Sequence, residues 1–517
     1  MNLNHINVIA RYEVKLVKRS WLFRIFAILA LLFISAIMLG YQTGIVNRMD
    51  NLWPRIAVSS LMPFCNTYFY NIAQSVIVVF LAGSFLKRDK KLDTAEVIYV
   101  RPMSNADYIV GKTWGIVKVF ITLNIITLLF TAFLNILINK SPFDLFPYLF
   151  YLLTISVPSL LFVLGLSFTA MCILKNQAVT FIVMLGIIGT VFFYLTDTLY
   201  GVFDFFGVNI PAIFSDVTGH ADLRLFLLQR FSYLLAGIGL ISMTIALVKR
   251  LPHKPWKIAV VYTFSSLFLL AACLGGLLYI LHYNHQLDLR HQYIMTFDKY
   301  ADVPHVDLLV NDISVTPQGY RLAGKSTVKV ANNNAKPLDK IIFYLNPELT
   351  VTSVEMAGKN LLFRRDHQVI EVDQPIQQQE ELTLTINYEG KISENICYTD
   401  VLTKDYLDTK VPQVFWRFGK RYAWLSNTFT LLTPECIWYP VTIAPVNPGA
   451  PYNVRKNFTD YTLTVHYEGD KTVLSQGKSK IDGPAITFTN ATALPGISLT
   501  IADYDKKALR VYLAALR

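Results

Sequence analysis

Seven long apolar runs in the first 281 residues constrain the fold more than any other feature of the sequence. Each is close to the roughly 20 helical residues needed to cross a hydrocarbon core of about 30 Å. With 53% hydrophobic and only 16% charged residues, the 517-residue chain is also far more apolar than a soluble protein. We therefore predict a membrane protein with spans at Trp21–Tyr41, Thr67–Leu86, Trp114–Ile138, Leu145–Ile173, Ala178–Leu195, Phe231–Val248 and Ile258–Leu281.

The loops between these runs predict an orientation. The first run follows a polar segment and lacks a small-residue cleavage site, so we expect a retained signal anchor. Lysine and arginine concentrate before the first run and after the second, fourth and sixth runs, which marks those segments as cytoplasmic. Arg224 and Arg230 fall in the opposite loop before the sixth run, and everything beyond Leu281 is predicted to lie outside the cytoplasm. The net charge of +11 follows from this topology, and we expect no nucleic-acid partner.

The stretch SNADYIVGKT, from Ser104 to Thr113, contains a loosened nucleotide-binding pattern, A/G-x-x-x-x-G-K-T. A phosphate-binding loop needs a strand that delivers a glycine-rich turn to a helix N-terminus, and RPMSN supplies no strand. Ser104 and Asp107 instead have the spacing of a capping pair. They predict a helix that starts near Asn105 and runs to about Ile138, with Lys112 pointing towards lipid headgroups. We therefore expect no nucleotide or other cofactor in this chain.

The segment IARYEVKLVKRSWLFRIF is amphipathic and predicts an interfacial helix that bends into the first span. Its two faces hold Ile9, Tyr12, Leu16 and Val17 on one side and Arg11, Lys15, Lys18 and Arg19 on the other. Between the fifth and sixth runs, the aromatic segment YGVFDFFGVNIPAIFSDV fits either short re-entrant helices or a loop in the aromatic belt of the membrane interface, and the re-entrant interpretation is favoured.

Three polar side chains, Asn71, Gln74 and Asn124, lie inside predicted spans. Polar groups at that depth usually face the interior of the helix bundle, so these three are candidates for lining a path. Hydrogen bonding between helices explains them equally well.

The composition changes at Tyr283 to short alternating runs, which predict half-buried strands. In YRLAGKSTVKV, for example, Tyr320, Leu322, Val328 and Val330 share a face. The string YTLTVHYEG nearly repeats LTLTINYEG, which suggests two sheets or subdomains, although ordinary strand composition also produces such an echo. Cys397 and Cys436 share this outer region, where a disulfide is possible and separate buried thiols are favoured.

The loop after the second span resembles the first cytoplasmic loop of ABC-2 type transporter permeases. In that family the string D-x-x-x-x-D/T-x-E, then R/x-P-x-S and G-K, marks a coupling helix that docks into a partner ATPase. The matching positions are Asp89, Asp93, Thr94, Glu96, Arg101, Pro102, Ser104, Gly111 and Lys112. The N-terminal helix is similar to the connecting helix of that family, with Tyr12, Glu13 and Arg19 towards the ATPase.

This resemblance implies a permease subunit in the bacterial inner membrane, with its N-terminus cytoplasmic. The expected partners are an ABC ATPase that binds the ATP, a second copy or a paralogue that completes a dimer, and membrane lipid. The expected fold is a transmembrane helical bundle over residues 1–281, with six core helices and a seventh connecting helix. An all-β periplasmic domain follows over residues 282–517.

The outer region resembles the N-terminal β-domain of M1-family aminopeptidases, a sandwich or saddle. The resemblance rests on YRLAGKSTVKVANNNAKPLDKIIFYLNPELTVTSVEMAGK, LLTPECIWYPV and FTDYTLTVHY. Fusion of the two parts is a pattern of Bacteroidota. M1 catalysis needs H-E-x-x-H and a further glutamate around one zinc, and that string is absent, so we expect no enzyme activity and no metal site. The chain ends at Arg517, about where the peptidase domain of that family begins, so we expect a truncated form of a longer protein. The second hypothesis for function is a membrane-anchored fragment of such a peptidase.

Overall fold

The computed structural model describes residues 2–42, 60–88, 103–138, 143–196, 198–207, 210, 214–215, 219–220, 222–248, 255–401, 423–444 and 456–504. The chain divides into two compact units. One comprises the described residues up to Tyr283, and the other comprises the described residues from Asn284 onwards.

The first unit is helical. Its helices are α1 (Leu3–Arg19), α2 (Trp21–Gln42), α3 (Leu61–Arg88), α4 (Asn105–Ile138), α5 (Phe146–Leu174), α6 (Gln177–Leu195), α7 (Leu223–Leu247) and α8 (Pro255–Tyr300), the last of which continues into the second unit. In the described part of the chain, six of them are long and apolar enough to cross a membrane. The count rises to seven if α1 and α2, which meet at a bend of 71°, form one span.

Helices α2, α5 and α6 coincide closely with the predicted apolar runs, α3 begins six residues before its run, and α4 matches the helix predicted from Asn105 to Ile138. Two later helices are longer than predicted. Helix α7 begins at Leu223 rather than Phe231, because its first turns carry polar side chains that a hydropathy pattern rejects. Helix α8 continues to Tyr300, whereas the sequence predicted strands from Tyr283. That prediction was wrong because Arg290, Tyr293 and Tyr300 are buried at helical spacing.

Helices α5 and α6 each contain one π-helical turn, at Leu152–Ser156 and Val191–Leu195 respectively. Pro158 is the second residue after the first, and a proline has no N–H with which to continue α-helical bonding. Further along, α5 packs closely on α7, because a Cβ added to Gly165 would lie 2.8 Å from the carbonyl oxygen of Gly237. Small residues at such crossings let helix backbones approach each other.

The connection from α6 to α7 contains a 3-10 turn, Thr198–Gly201, in which Leu199 and Tyr200 have left-handed φ values of 49° and 60°. Two short strands, β1 (Phe214–Ser215) and β2 (Gly219–His220), pair before α7. Re-entrant helices were predicted in this segment. Over the part that the structure describes, the chain is instead a 3-10 turn followed by irregular backbone that is buried at Phe205 and Phe206.

The second unit is rich in β-structure. Its strands are β3 (Asp307–Gln318), β4 (Arg321–Ala331), β5 (Ile341–Tyr344), β6 (Leu349–Met356), β7 (Lys359–Asn360), β8 (Phe363–Asp366), β9 (Val369–Val372), β10 (Glu381–Gly390), β11 (Ala423–Leu425), β12 (Thr430–Leu432), β13 (Asp460–His466), β14 (Thr472–Leu474), β15 (Lys478–Asp482), β16 (Ala485–Thr489) and β17 (Leu499–Ala502). They form an eight-stranded sheet, β15-β16-β13-β3-β4-β10-β6-β7, a four-stranded sheet, β11-β12-β17-β14, and a three-stranded sheet, β5-β9-β8.

The predicted alternation is confirmed in most of β4. Leu322, Val328 and Val330 are fully buried, but Tyr320 precedes the strand and is 70% exposed, so its placement on the buried face was wrong. The two similar strings form β10 and β13, which belong to the same sheet. β10 lies between two antiparallel neighbours, whereas β13 pairs in parallel with β3. They therefore do not mark two sheets or subdomains.

Candidate functional site

The stretch that resembles a nucleotide-binding loop is the capped start of α4. The N–H of Asp107 donates to Ser104 Oγ at 3.0 Å, and the N–H of Ser104 donates to Asp107 Oδ2 at 3.1 Å. These reciprocal bonds are a capping box and confirm the predicted cap. The other carboxylate oxygen of Asp107 accepts a bond of 2.8 Å from the N–H of Asn2, so one aspartate joins the starts of α1 and α4.

The glycine of the GKT string lies where α1 crosses α4. A Cβ on Gly111 would approach Ile9 Cβ to 2.8 Å, and a Cβ on Gly115 would approach the carbonyl oxygen of Ala10 to 2.9 Å. Both distances are shorter than real Cβ contacts, so only glycine allows the two helices to pack at this separation. Gly111 is therefore a helix-packing residue, in the small-xxx-small spacing common in membrane helices.

The lysine of the same string is buried against α1. Lys112 Nζ lies 3.2 Å from Glu13 Oε2, the two side chains are 5% and 3% exposed, and the lysine lies 5.2 Å from the ring centroid of Tyr108. The prediction that Lys112 points towards headgroups was wrong, because it did not foresee a buried carboxylate on the facing helix. Tyr12, the residue before Glu13, is 58% exposed.

The remaining predicted coupling residues divide into two groups. Arg19 ends α1 and is exposed on the same side as Arg11, Lys15 and Lys18, so the outer face of α1 is basic. The others belong to the coupling-helix segment and lie outside the described residues: Asp89, Asp93, Thr94, Glu96, Arg101 and Pro102.

The three polar residues predicted to face the interior of the bundle are brought together. Asn71 Nδ2 donates to Ser159 Oγ at 2.9 Å and to the Phe206 carbonyl at 2.7 Å. Gln74 Nε2 donates to Asn71 Oδ1, and Asn124 Nδ2 donates to Ser156 Oγ at 2.7 Å. All five side chains are at most 2% exposed. They form a network that joins α3, α4 and α5, as the hydrogen-bonding interpretation requires.

A buried arginine holds the loop before α7, and the sequence did not identify it. Arg230 Nη2 donates to the carbonyl of Phe205 at 2.9 Å and to Ser159 Oγ at 3.3 Å, and Nη1 donates to the carbonyl of Asp204 at 3.3 Å. The topology prediction assigned Arg230 to an external loop because it precedes the apolar run. Arg230 is three residues before Tyr233, whose hydroxyl donates to the Val202 carbonyl at 2.8 Å. This spacing places both polar side chains on one face of α7, and it was the signal in the sequence that could have identified Arg230.

In the second unit, Arg290 is 1% exposed and donates to four backbone carbonyls between 2.7 and 3.1 Å, those of Asn395, Cys397, Tyr398 and Val401. This side chain fixes the segment that follows β10. Cys397 and Cys436 lie nearby as free thiols, and burial raises the pKa of both.

Among the described residues, no group of three or more His, Cys, Asp or Glu side chains is placed to hold a metal ion.

No protein-family model matches the chain, and no curated protein matches it either. Among solved structures, the M1 zinc metallopeptidase from Deinococcus radiodurans is 16% identical over 38% of this chain and 42% of its own, with a TM-score of 0.28. A mutant two-domain M1 zinc metallopeptidase bound to L-tryptophan is 17% identical over 38% and 43%, with a TM-score of 0.29. Native yeast LTA4 hydrolase is 12% identical over 38% and 29%, with a TM-score of 0.26. The chain spans less than half the length of these structures, and at such TM-scores the likeness establishes no activity for it.

Proposed function

We propose that the helical unit is the permease subunit of an ABC-2 type transporter and is driven by a separate ATPase. The observation that carries the proposal is the contact of α1 with α4. Two glycines and the buried pair of Glu13 and Lys112 join the N-terminal helix to the cytoplasmic start of a predicted span.

This contact gives a mechanical route from the cytoplasm into the bundle. Helix α4 has 34 residues and is therefore about 50 Å long. Its capped end begins directly after the predicted coupling segment, residues 89–102. A displacement of that segment or of α1 is transmitted along one rigid helix, as a permease driven by an ATPase in the cytoplasm requires.

The outer face of α1 suits an acidic protein surface, since its four basic side chains are exposed while the one acidic side chain of the helix, Glu13, is buried. In this proposal ATP is bound by the partner subunit, and a second copy or a paralogue completes the translocation path. The chain resides in a bacterial inner membrane with α1 cytoplasmic. The β-rich unit is a noncatalytic periplasmic domain.

Co-purification from membranes tests the proposal. The variant Asp93→Arg/Glu96→Arg reverses two charges in the coupling segment, and we expect it to lose its ATPase during purification. The matched control is Glu468→Arg/Asp470→Arg, which makes the same charge change at two exposed positions of the β-rich unit and is expected to retain the ATPase. If both variants hold the ATPase as the unmodified protein does, the coupling site is wrong.

A further inference from the structure

The network around Asn71 is part of a longer line of buried polar side chains, which we call the polar seam. Helix α4 contributes Asn124, Thr127, Thr131 and Asn135, and α3 contributes Asn66, Thr67, Asn71, Gln74 and Ser75. All are at most 2% exposed.

The α4 residues of the seam share one face of that helix. Their spacing of three, four and four residues keeps them within about a quarter of the helix circumference and extends over about 16 Å. The opposite face is apolar and outward: Leu129 is 63% exposed and Ile136 is 60% exposed. Helix α4 is therefore amphipathic in the sense opposite to a soluble helix, with its polar face inside.

The seam holds more hydrogen-bonding capacity than its own residues use. Thr131 Oγ1 donates to the carbonyl of Thr127 at 2.9 Å and contacts Asn66 Oδ1 at 3.4 Å. Three other polar atoms have no hydrogen-bond partner among the described residues, namely Asn66 Nδ2, Thr67 Oγ1 and Asn124 Oδ1. Buried amides and hydroxyls without partners are unfavourable, so two such groups on α3 and one on α4 indicate a site that another molecule completes.

The three atoms define the chemistry of that molecule. The amide nitrogen of Asn66 needs an acceptor, the amide oxygen of Asn124 needs a donor, and the hydroxyl of Thr67 serves either. The seam residues carry no formal charge, so a charged guest would lie there without a counter-ion. Arg230 contacts Ser159 at one end, but it also donates to the carbonyls of Asp204 and Phe205, and it lies close enough to the buried Asp204 carboxylate for that charge to balance its own.

We propose that the polar seam is this subunit's closed part of the translocation path and that it accepts small uncharged molecules bearing hydroxyl or amide groups. The inference rests on the proposed permease function and adds the class of solute. Hydrogen bonds between helices in a bundle are individually weak, so α3, α4 and α5 can separate and offer the same groups to a solute.

Cysteine labelling tests the seam in membranes of the organism that makes the protein, where its partners are present. Thr127→Cys and Thr131→Cys lie in the seam, and Leu129→Cys and Ile136→Cys are matched controls on the outer face of the same helix. All four are made in a background in which the native cysteines are replaced by alanine: Cys65, Cys172, Cys273, Cys397 and Cys436. The probes are neutral hydroxyethyl, cationic trimethylammonioethyl and anionic sulfonatoethyl methanethiosulfonates.

We expect the seam cysteines to react with the neutral probe at least about tenfold faster than the controls, because only a hydrated thiol ionises to the reactive thiolate. With each rate normalised to that of free mercaptoethanol, both charged probes should react more slowly than the neutral one. If the seam cysteines react no faster than the cysteines on the outer face, the seam is not the path. If a charged probe reacts fastest, the proposed class of solute is wrong. Variants that retain the gel-filtration profile of the background protein exclude misfolding as the cause.

ATP depletion separates this inference from the proposed function. Labelling that falls when ATP is removed supports both. If the labelling rate does not change when ATP is removed, the path is still supported, but its coupling to an ATPase is refuted. An unreactive seam in a protein that still co-purifies with its ATPase refutes the path alone.

Discussion

Removing Lys112 should destabilise the protein more than removing any exposed charge of α1. In Lys112→Met the side-chain volume is nearly kept, but the Glu13 carboxylate, whose side chain is 3% exposed, loses the ammonium group that lies 3.2 Å from it. Breaking one partner of a buried pair costs about 3–5 kcal/mol, because the remaining charge is left in a medium of low dielectric constant. Glu13→Gln should cost a similar amount. The double variant Glu13→Gln/Lys112→Met should cost no more than the worse single variant.

Unfolding in mixed micelles, by titration with dodecyl sulfate while tryptophan fluorescence is recorded, measures these free energies. Lys15→Met removes an exposed lysine from the same helix and is the control; its effect should stay within about 0.5 kcal/mol. The difference between the double variant and the sum of the singles gives the coupling energy, expected to be about 3 kcal/mol or more. Strict additivity would refute the pair, as would a Lys112→Met protein as stable as Lys15→Met.

Four further changes follow from the geometry, each measured by the same titration unless stated. Gly115→Leu should separate α1 from α4, shown by faster proteolysis of the N-terminal segment, whereas an unchanged cleavage rate would argue against close packing. Ser104→Ala should cost about 1 kcal/mol through loss of the cap, and Ser104→Thr should recover most of it. Arg290→Met should cost about 3 kcal/mol or more because four buried carbonyls lose their donor, so a neutral result would exclude that role. Lys299 lowers the pKa of Asp366, so their ion pair stabilises the folded state above about pH 4. This contribution to the free energy of unfolding is lost as the pH falls through the lowered pKa. Asp366→Asn should therefore cost up to about 1 kcal/mol at pH 7 and nothing near pH 2, and a difference that persists in acid would contradict the assignment.

Local features of the fold were predictable from the sequence, and distant pairings were not. Ser104 and Asp107 are three residues apart, so their mutual cap depends on spacing alone and was confirmed. Glu13 and Lys112 are 99 positions apart, and neither helix by itself indicates which residue of the other it meets. The sequence therefore identified α4 correctly and placed its lysine on the wrong surface.

Polar residues near the ends of apolar runs were the second source of error. Hydropathy averages the character of a window, so Arg230 fell outside the predicted span although it is buried in the helical unit. The same averaging ended the last span at Leu281, while α8 continues through Arg290 to Tyr300. In both helices the polar side chains are satisfied by backbone carbonyls of irregular segments, and such partners leave no periodic signal in the sequence.

The π-helical turn at Leu152–Ser156 decides which residues α5 presents to Asn71 and Asn124. A π turn holds one residue more than an α turn, so everything beyond it is rotated relative to the residues before it. If the same residues were α-helical throughout, everything beyond the turn would rotate by about 100°, and Ile155 and Pro158 would come to the positions that Ser156 and Ser159 now occupy. The hydrogen bonds to both asparagines would then be replaced by aliphatic contacts without any change of side chain. In this helix, the helix type of a single turn sets whether the interior is polar or apolar.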